Sequence, residues 1–188
     1  YKNENIQDRL SEWGRQDSVG YSLPYSVDSV LLYSQLRSSF DLSSHRLTSF
    51  VQYRWEGQGR AKPSLLLGCR SQWWSINKEL IVSPRAQFQL QPTLRKDSLG
   101  RTLKISWAAG LYAQPPFYRE MRNLQGDVNT DLLAQKSVHA IWGLDYRFKA
   151  WDDRDFAFTT EAYYKYMWDI NPYEIDNVRT RYYAENNA

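Results

Sequence analysis

At 188 residues the chain is long enough to bury a core, and its 24 Lys and Arg are interleaved with 21 Asp and Glu for a net charge of +3, so no basic stripe suits a nucleic acid. One cysteine, Cys69, excludes a disulfide framework and a cysteine metal site, and no run of about 18 apolar residues offers a helical membrane span. A mean hydropathy of -0.68 coexists with 8 Trp and 14 Tyr, the amphipathic rings that settle at membrane interfaces.

Tyr1 to Trp13 alternates weakly, with Ile6 and Leu10 sharing a face with Lys2, Glu4, Asp8 and Glu12, and predicts an extended segment projecting into water. The strand-like start at Tyr1 suggests a piece of a longer protein, with any export signal elsewhere. Gly14 to Asp28 reads as a loop, Ser29 to Phe40 as extended, and Asp41 to His45 as a turn. Residues 1–46 are thus a strand plus a long external excursion, and regular hairpins are predicted over 47–188, all in a single partial domain. From Leu47, Val51, Tyr53 and Trp55 oppose Thr48, Gln52 and Arg54, with Phe50 the exception. A Gly57/Gly59 turn follows, and then Leu65, Leu67, Cys69 and Trp73 oppose Gly68, Arg70 and Gln72.

After a polar tip at Ser75 to Lys78, Arg85, Gln87, Gln89, Gln91 and Thr93 alternate strictly with Ala86, Phe88, Leu90, Pro92 and Leu94. Lys96 to Gly100 turns, and Leu103, Ile105, Trp107, Ala109 and Leu111 oppose Lys104, Ser106 and Tyr112. Gln114 to Lys136 interrupts the pattern with Pro115-Pro116, a short helical stretch over Phe117 to Asn123, and Gly126 to Asp131. The hairpin from Ser137 to Trp168 sorts most cleanly. Val138, Ala140, Trp142, Leu144, Tyr146 and Phe148, then Phe156, Phe158, Tyr164 and Tyr166, take one face. His139, Asp145, Arg147, Glu161 and Lys165 take the other, and only Ile141 is out of place. Asp169 to Asn177 reads as a polar connection, and Val178, Thr180 and Tyr182 against Arg179, Arg181 and Tyr183 as a last strand.

From Leu47 onward the predicted connections alternate shorter and longer, as in bacterial outer-membrane barrels, whose inner turns are short and outer loops long. The expected fold is all-β, an antiparallel up-and-down transmembrane barrel segment of about eight strands. Its lipid-facing residues are Leu103, Ile105, Trp107, Val138, Trp142, Leu144, Phe156 and Phe158. Arg54, Arg70, Arg85, Gln87, Gln89, Lys104, Asp145, Arg147, Glu161, Lys165 and Arg179 face the lumen, either solvating it or meeting a ligand. Trp73, Trp74, Trp142 and Trp168 read as girdle or loop-packing residues.

Several motifs stand at the strand ends in order: Ser83-Pro84-Arg85, Gly110 to Pro116, Asn129-Thr130-Asp131-Leu132 before Gln135-Lys136-Ser137, Gly143-Leu144-Asp145-Tyr146, and Ala184 to Ala188. Together they resemble the C-terminal half of the barrel of TonB-dependent outer-membrane receptors, most closely those of the Bacteroidetes type. The resemblance runs from about Leu47 to the end. It implies a larger barrel of about 22 strands with a plugged lumen, in the outer membrane of a Gram-negative cell. Such a receptor imports a scarce ligand, a siderophore, cobalamin, glycan or peptide, with energy passed through TonB. The plug domain, the TonB box and the remaining strands are absent from this chain.

External-loop residues Gln114, Phe117, Tyr118, Arg119, Glu120, Asn171 and Tyr173 are the candidate ligand contacts, because aromatics and a guanidinium on a loop suit capture of a bulky solute. The expected partners are outer-membrane lipid, the plug and TonB, and the ligand, with no nucleic acid. His45 and His139 stand apart without a second ligand at metal spacing, and no nucleophile, base and orienting acid converge. Neither an enzyme nor a cofactor is therefore expected. A small closed outer-membrane barrel, or a soluble β-sandwich acting as a binding or structural module, would share the alternation.

Overall fold

The computed structural model describes residues 1–15, 32–94, 101–152, 154–176 and 179–186. Strands β1 (Lys2–Arg15), β2 (Leu32–Glu56), β3 (Pro63–Trp74), β4 (Leu80–Leu90), β5 (Thr102–Gln114), β6 (Gln135–Ala150) and β7 (Arg154–Trp168) follow one another in a single sheet. Every neighbouring pair is antiparallel, and the sheet curls into a half-barrel. β8 (Tyr173–Asp176) and β9 (Arg179–Tyr182) form a separate two-stranded ribbon, and Tyr118–Met121 makes one 3-10 turn.

The ladder register sorts the side chains, because residues directly opposite one another share a face. One row runs Tyr53, Leu67, Ala86, Ala109, Ala140 and Tyr164 across β2 to β7. The row below it runs Trp55, Leu65, Phe88, Trp107, Trp142 and Ala162. Leu103, Ile105, Val138, Leu144, Phe156 and Phe158 lie on this same apolar face, as does Cys69 between Val51 and Pro84. The opposite face carries Arg54, Arg70, Arg85, Gln87, Gln89, Lys104, Asp145, Arg147, Glu161 and Lys165. Phe50 and Ile141 break the pattern there, opposite Arg70 and Ala108.

Among the described residues nothing covers the apolar face. Val51 is 68% exposed, Leu80 64% and Tyr164 62%. Its floor of small residues leaves two open depressions of about 510 and 500 Å³, the second ringed by Phe88, Trp107, Trp142 and Tyr164. Aromatic stacking gathers toward the strand ends: Tyr146, Phe148 and Phe156 in series at one, Tyr166 and Trp168 at the other.

Four expectations need correction. Asp41 to His45 does not turn: β2 runs unbroken through it, with Ser44 opposite Glu4 and Leu42 opposite Ile6, because ladder bonds to β1 outweigh the turn preference of Asp and Ser. The wall has seven strands rather than about eight, since 179–182 pairs with 173–176 and not with β7. Arg179 therefore leaves the wall's polar face and sits on the ribbon. Finally, the alternation of loop lengths is incomplete, because β4 starts at Leu80 and shrinks one outer connection to 75–79, while 91–101 on the inner side is longer. The loop read over Gly14 to Asp28 and the turn at Lys96 to Gly100 lie almost wholly outside the described residues. In the β2–β3 turn Gly59 takes φ +108°, a left-handed value that glycine adopts without strain.

Candidate functional site

Above the apolar face, β1 and the first half of β2 continue as a two-stranded ribbon paired from Lys2↔Arg46 to Arg15↔Leu32. Its outward residues turn polar: Asn3, Asn5, Gln7 and Arg9 on β1, and Ser43, Asp41, Ser39 and Arg37 on β2. Its other face, which continues the polar face of the wall, carries Glu4, Ile6, Asp8, Leu10 and Glu12, each half-buried. What covers them is the β5–β6 loop and the β8–β9 ribbon.

The loop is fixed by a small core. Trp74, Met121 and Leu132 are buried, with Ile76, Tyr118 and Val128 packed around them. Trp74 Nε1 donates to Ser44 Oγ at 2.6 Å, and the Arg46 guanidinium lies 4.4 Å over the Trp74 ring and 5.5 Å from that of Tyr118. Short polar side chains shape the loop itself. Asn123 Oδ1 accepts from the backbone N–H of Gln125 and Asp127, and Asn129 Oδ1 from that of Asp131, so these asparagines act as turn formers. Gly126 takes φ +90° and its carbonyl accepts from Ser38 Oγ at 2.6 Å. That left-handed φ favours glycine, and a Cβ there would stand 2.9 Å from Leu36 Cδ1, so the Leu36 side chain would have to give way.

The candidate ligand residues divide by role. Glu120 is buried and accepts from the Phe117 N–H at 3.0 Å, closing the 3-10 turn, while buried Asn171 donates to the Glu120 carbonyl at 2.9 Å. Tyr118 donates to Glu4 Oε2 at 2.9 Å. Those three build the site. Gln114 pairs with Gln135 at the top of β5. Phe117 and Tyr173 are exposed, the latter against Tyr182 at a ring distance of 6.0 Å, and Arg119 reaches the Thr180 carbonyl at 3.2 Å. The structure thus draws 117–120 and 171 together, and it connects Arg119 to β9.

Between the β1–β2 ribbon, the loop and β9 lies a groove of about 300 Å³, lined by Leu10, Glu12 and Leu36 on one side and Arg119, Arg122 and Leu124 on the other, with 179–182 along its end. Arg122 Nη2 binds Asp8 Oδ2 at 2.7 Å, and its guanidinium lies 5.1 Å from the Phe40 ring. Glu12 bridges two guanidiniums of β9, Arg179 at 3.1 Å and Arg181 at 3.5 Å. Sequence reasoning passed over Asp8, Glu12, Arg122 and Arg181. The available signal was a carboxylate at every fourth residue of β1, Glu4, Asp8 and Glu12, which gives one acidic strand face awaiting a basic partner.

Other polar groups at this end serve as fasteners. Lys136 pairs with Glu79 at 3.0 Å and Asp169 at 2.9 Å, and Asn186 ties Leu133 to Asp169. His45 bonds the Tyr1 hydroxyl, and His139 contacts Ser137 and the rings of Tyr112 and Tyr163. Among the described residues no three His, Cys, Asp or Glu side chains cluster at metal distance.

Glu4 titrates low. The Lys2 ammonium bonded to it is the largest cause, partial burial works against it, and the Tyr118 hydroxyl adds to the lowering. A depressed carboxyl contributes stability that is present above its unfolded value of about 4.3 and lost as the pH falls through the lower folded value. Acidification below about pH 4.3 is therefore expected to loosen Tyr118 from β1, seen as increased protease cleavage of the 115–134 loop. Tyr118→Phe, which removes that bond at every pH, should raise the cleavage already at neutral pH and flatten its dependence on pH.

Comparisons with protein-family models, with characterised proteins and with solved structures found no match.

Proposed function

We propose that this chain forms part of the wall and outer rim of an outer-membrane β-barrel receptor of the TonB-dependent kind, which binds a ligand at its outer loops and imports it through a plugged barrel. The observation that carries this reading is the register: one continuous apolar face spans β2 to β7, and no described residue covers it. A face that large is tolerated where lipid meets it. Its height fits as well. From Val138 to Phe148, at about 3.3 Å per residue and a strand tilt of roughly 40°, the apolar run on β6 rises about 25 Å, the thickness such barrels present to lipid.

Above that band the outward residues of β1 and β2 become polar, as a rim in water requires, and the loop and ribbon fold over the polar face where a lumen would open. The resemblance of the strand-end motifs supplies the family. A soluble sandwich would need a second sheet against the apolar face. Among the described residues the other sheet is the β8–β9 ribbon, which packs on the polar side through Glu12.

Fractionation and lipid quenching test the reading. The protein should pellet with membranes and require detergent. In single-tryptophan variants, Trp107 and Trp142 should be quenched by brominated acyl chains, and Trp74 should not. A protein that is soluble, monomeric and unaffected by detergent would refute the membrane assignment.

A further inference from the structure

The geometry points to an oxyanion, a carboxylate or phosphate borne by a solute with an apolar portion, as the ligand of the rim groove, held chiefly by Arg119 and Arg122. This rests on the receptor reading and adds the chemical class of what is captured.

Two guanidiniums are underused. Arg119 enters no ion pair among the described residues: its bond is to the Thr180 carbonyl, and the side chain is exposed along the groove. Arg122 spends one nitrogen on Asp8 but keeps its Nε buried without a hydrogen-bond partner, although it lines the same groove. A guanidinium whose donors are not all paired keeps capacity for a further acceptor, and both of these line the groove. Planar guanidinium forks match carboxylate and phosphate oxygens in pairs, which makes an oxyanion the fitting acceptor.

The rest of the lining narrows the ligand further. Leu10, Leu36 and Tyr182 offer an apolar wall beside the charges, suited to a ring or short chain attached to the anion, and about 300 Å³ accommodates such a group. The groove opens on the polar side of the sheet, away from the exposed apolar face, so the anion comes from a dissolved solute and not from a lipid headgroup. Glu12 holds the β9 arginines on the groove's flank and sets a limit, since its charge opposes an incoming anion.

The test measures phenyl phosphate binding by calorimetry on the intact protein in nanodiscs of zwitterionic lipid, with phenol as the neutral counterpart. Phenyl phosphate should bind and phenol should bind at least about tenfold more weakly, with the difference shrinking in high salt. Arg119→Gln, which forfeits only a carbonyl contact, should weaken phenyl phosphate about tenfold while leaving the tryptophan emission of the folded protein unchanged. Glu12→Gln should act in the opposite direction and tighten binding a few-fold, an outcome that damage to the groove would not produce.

Equal affinity for phenol and phenyl phosphate, or an Arg119→Gln protein indistinguishable from wild type, would overturn the assignment, as would weakening by both substitutions. Adding phosphatidylglycerol to the discs should leave the affinity unaltered, and competition by that lipid would overturn the dissolved source. The two readings fail separately. A protein that binds phenyl phosphate but needs no detergent retains the site and loses the receptor, whereas a membrane-embedded protein blind to the anion does the reverse.

Discussion

Trp142→Arg should abolish assembly into membranes, while Asp145→Asn, three residues along the same strand, should pass almost unnoticed. Trp142 stands midway along β6 on the apolar face, between Trp107 and Ala162. On the proposed membrane reading a guanidinium in that place would meet hydrocarbon, at a cost of about 2–4 kcal/mol near the bilayer midplane. Asp145 lies on the other face, where it accepts from Thr159 Oγ1 at 2.9 Å. An asparagine keeps a carbonyl oxygen for that hydroxyl and sheds a charge in a wet environment, an effect within about 0.5 kcal/mol. The measurement is the fraction of protein resistant to urea extraction from membranes, with the midpoint of unfolding in lipid as a second reading. Similar losses in the two variants would mean that the faces are assigned the wrong way or that no lipid is met at all.

Trp74→Ala should release the rim while sparing the wall. Trp74 is 1% exposed, contacts Met121 and Leu132, and anchors Ser44 through its indole N–H. Removing so large a buried side chain costs roughly 3–5 kcal/mol. That loss falls on the loop, because the β2–β3 ladder through Arg46↔Trp74 is backbone and survives truncation to alanine. Expected results are rapid cleavage within 115–134 and loss of the rim groove, with strand content by circular dichroism unchanged. Ser44→Ala should produce a milder version of about 1–3 kcal/mol, since it leaves a buried indole donor without its acceptor. If Trp74→Ala melted wall and rim together, the two would be one cooperative unit.

These outcomes also show which parts of the molecule could be read from residues alone. Alternation announces a strand and sorts its faces, so the wall from Leu47 to Trp168 was legible, down to Phe50 and Ile141 as exceptions on the polar side. A period of two says nothing about partners. Hence the alternation predicts the 179–182 segment as extended but does not reveal that it pairs with 173–176 and not with the wall. The Asp41 to His45 stretch failed for a related reason: its side chains favour a turn locally, and only the facing strand Asn3 to Gln7 holds it straight. The rim core was invisible because Ser44, Trp74, Met121 and Leu132 come from three separate segments with no shared period. A guanidinium on an aromatic loop marks Arg119 in the sequence, but its neighbours in the groove, Glu12 and Arg122, need the fold to bring them there.

The sheet's simple topology has a consequence in time. Each wall strand pairs with its sequence neighbours, so successive hairpins can zip without waiting for distant segments. The bonds that make the rim are of another kind: Tyr118 to Glu4 and Arg122 to Asp8 each join residues 114 apart in the chain, and Arg179 must find Glu12. Such distant contacts gain little until the intervening strands have shortened the path between them. The groove therefore closes only after the strands between those partners have paired, and a pause anywhere in the meander leaves a paired sheet without it.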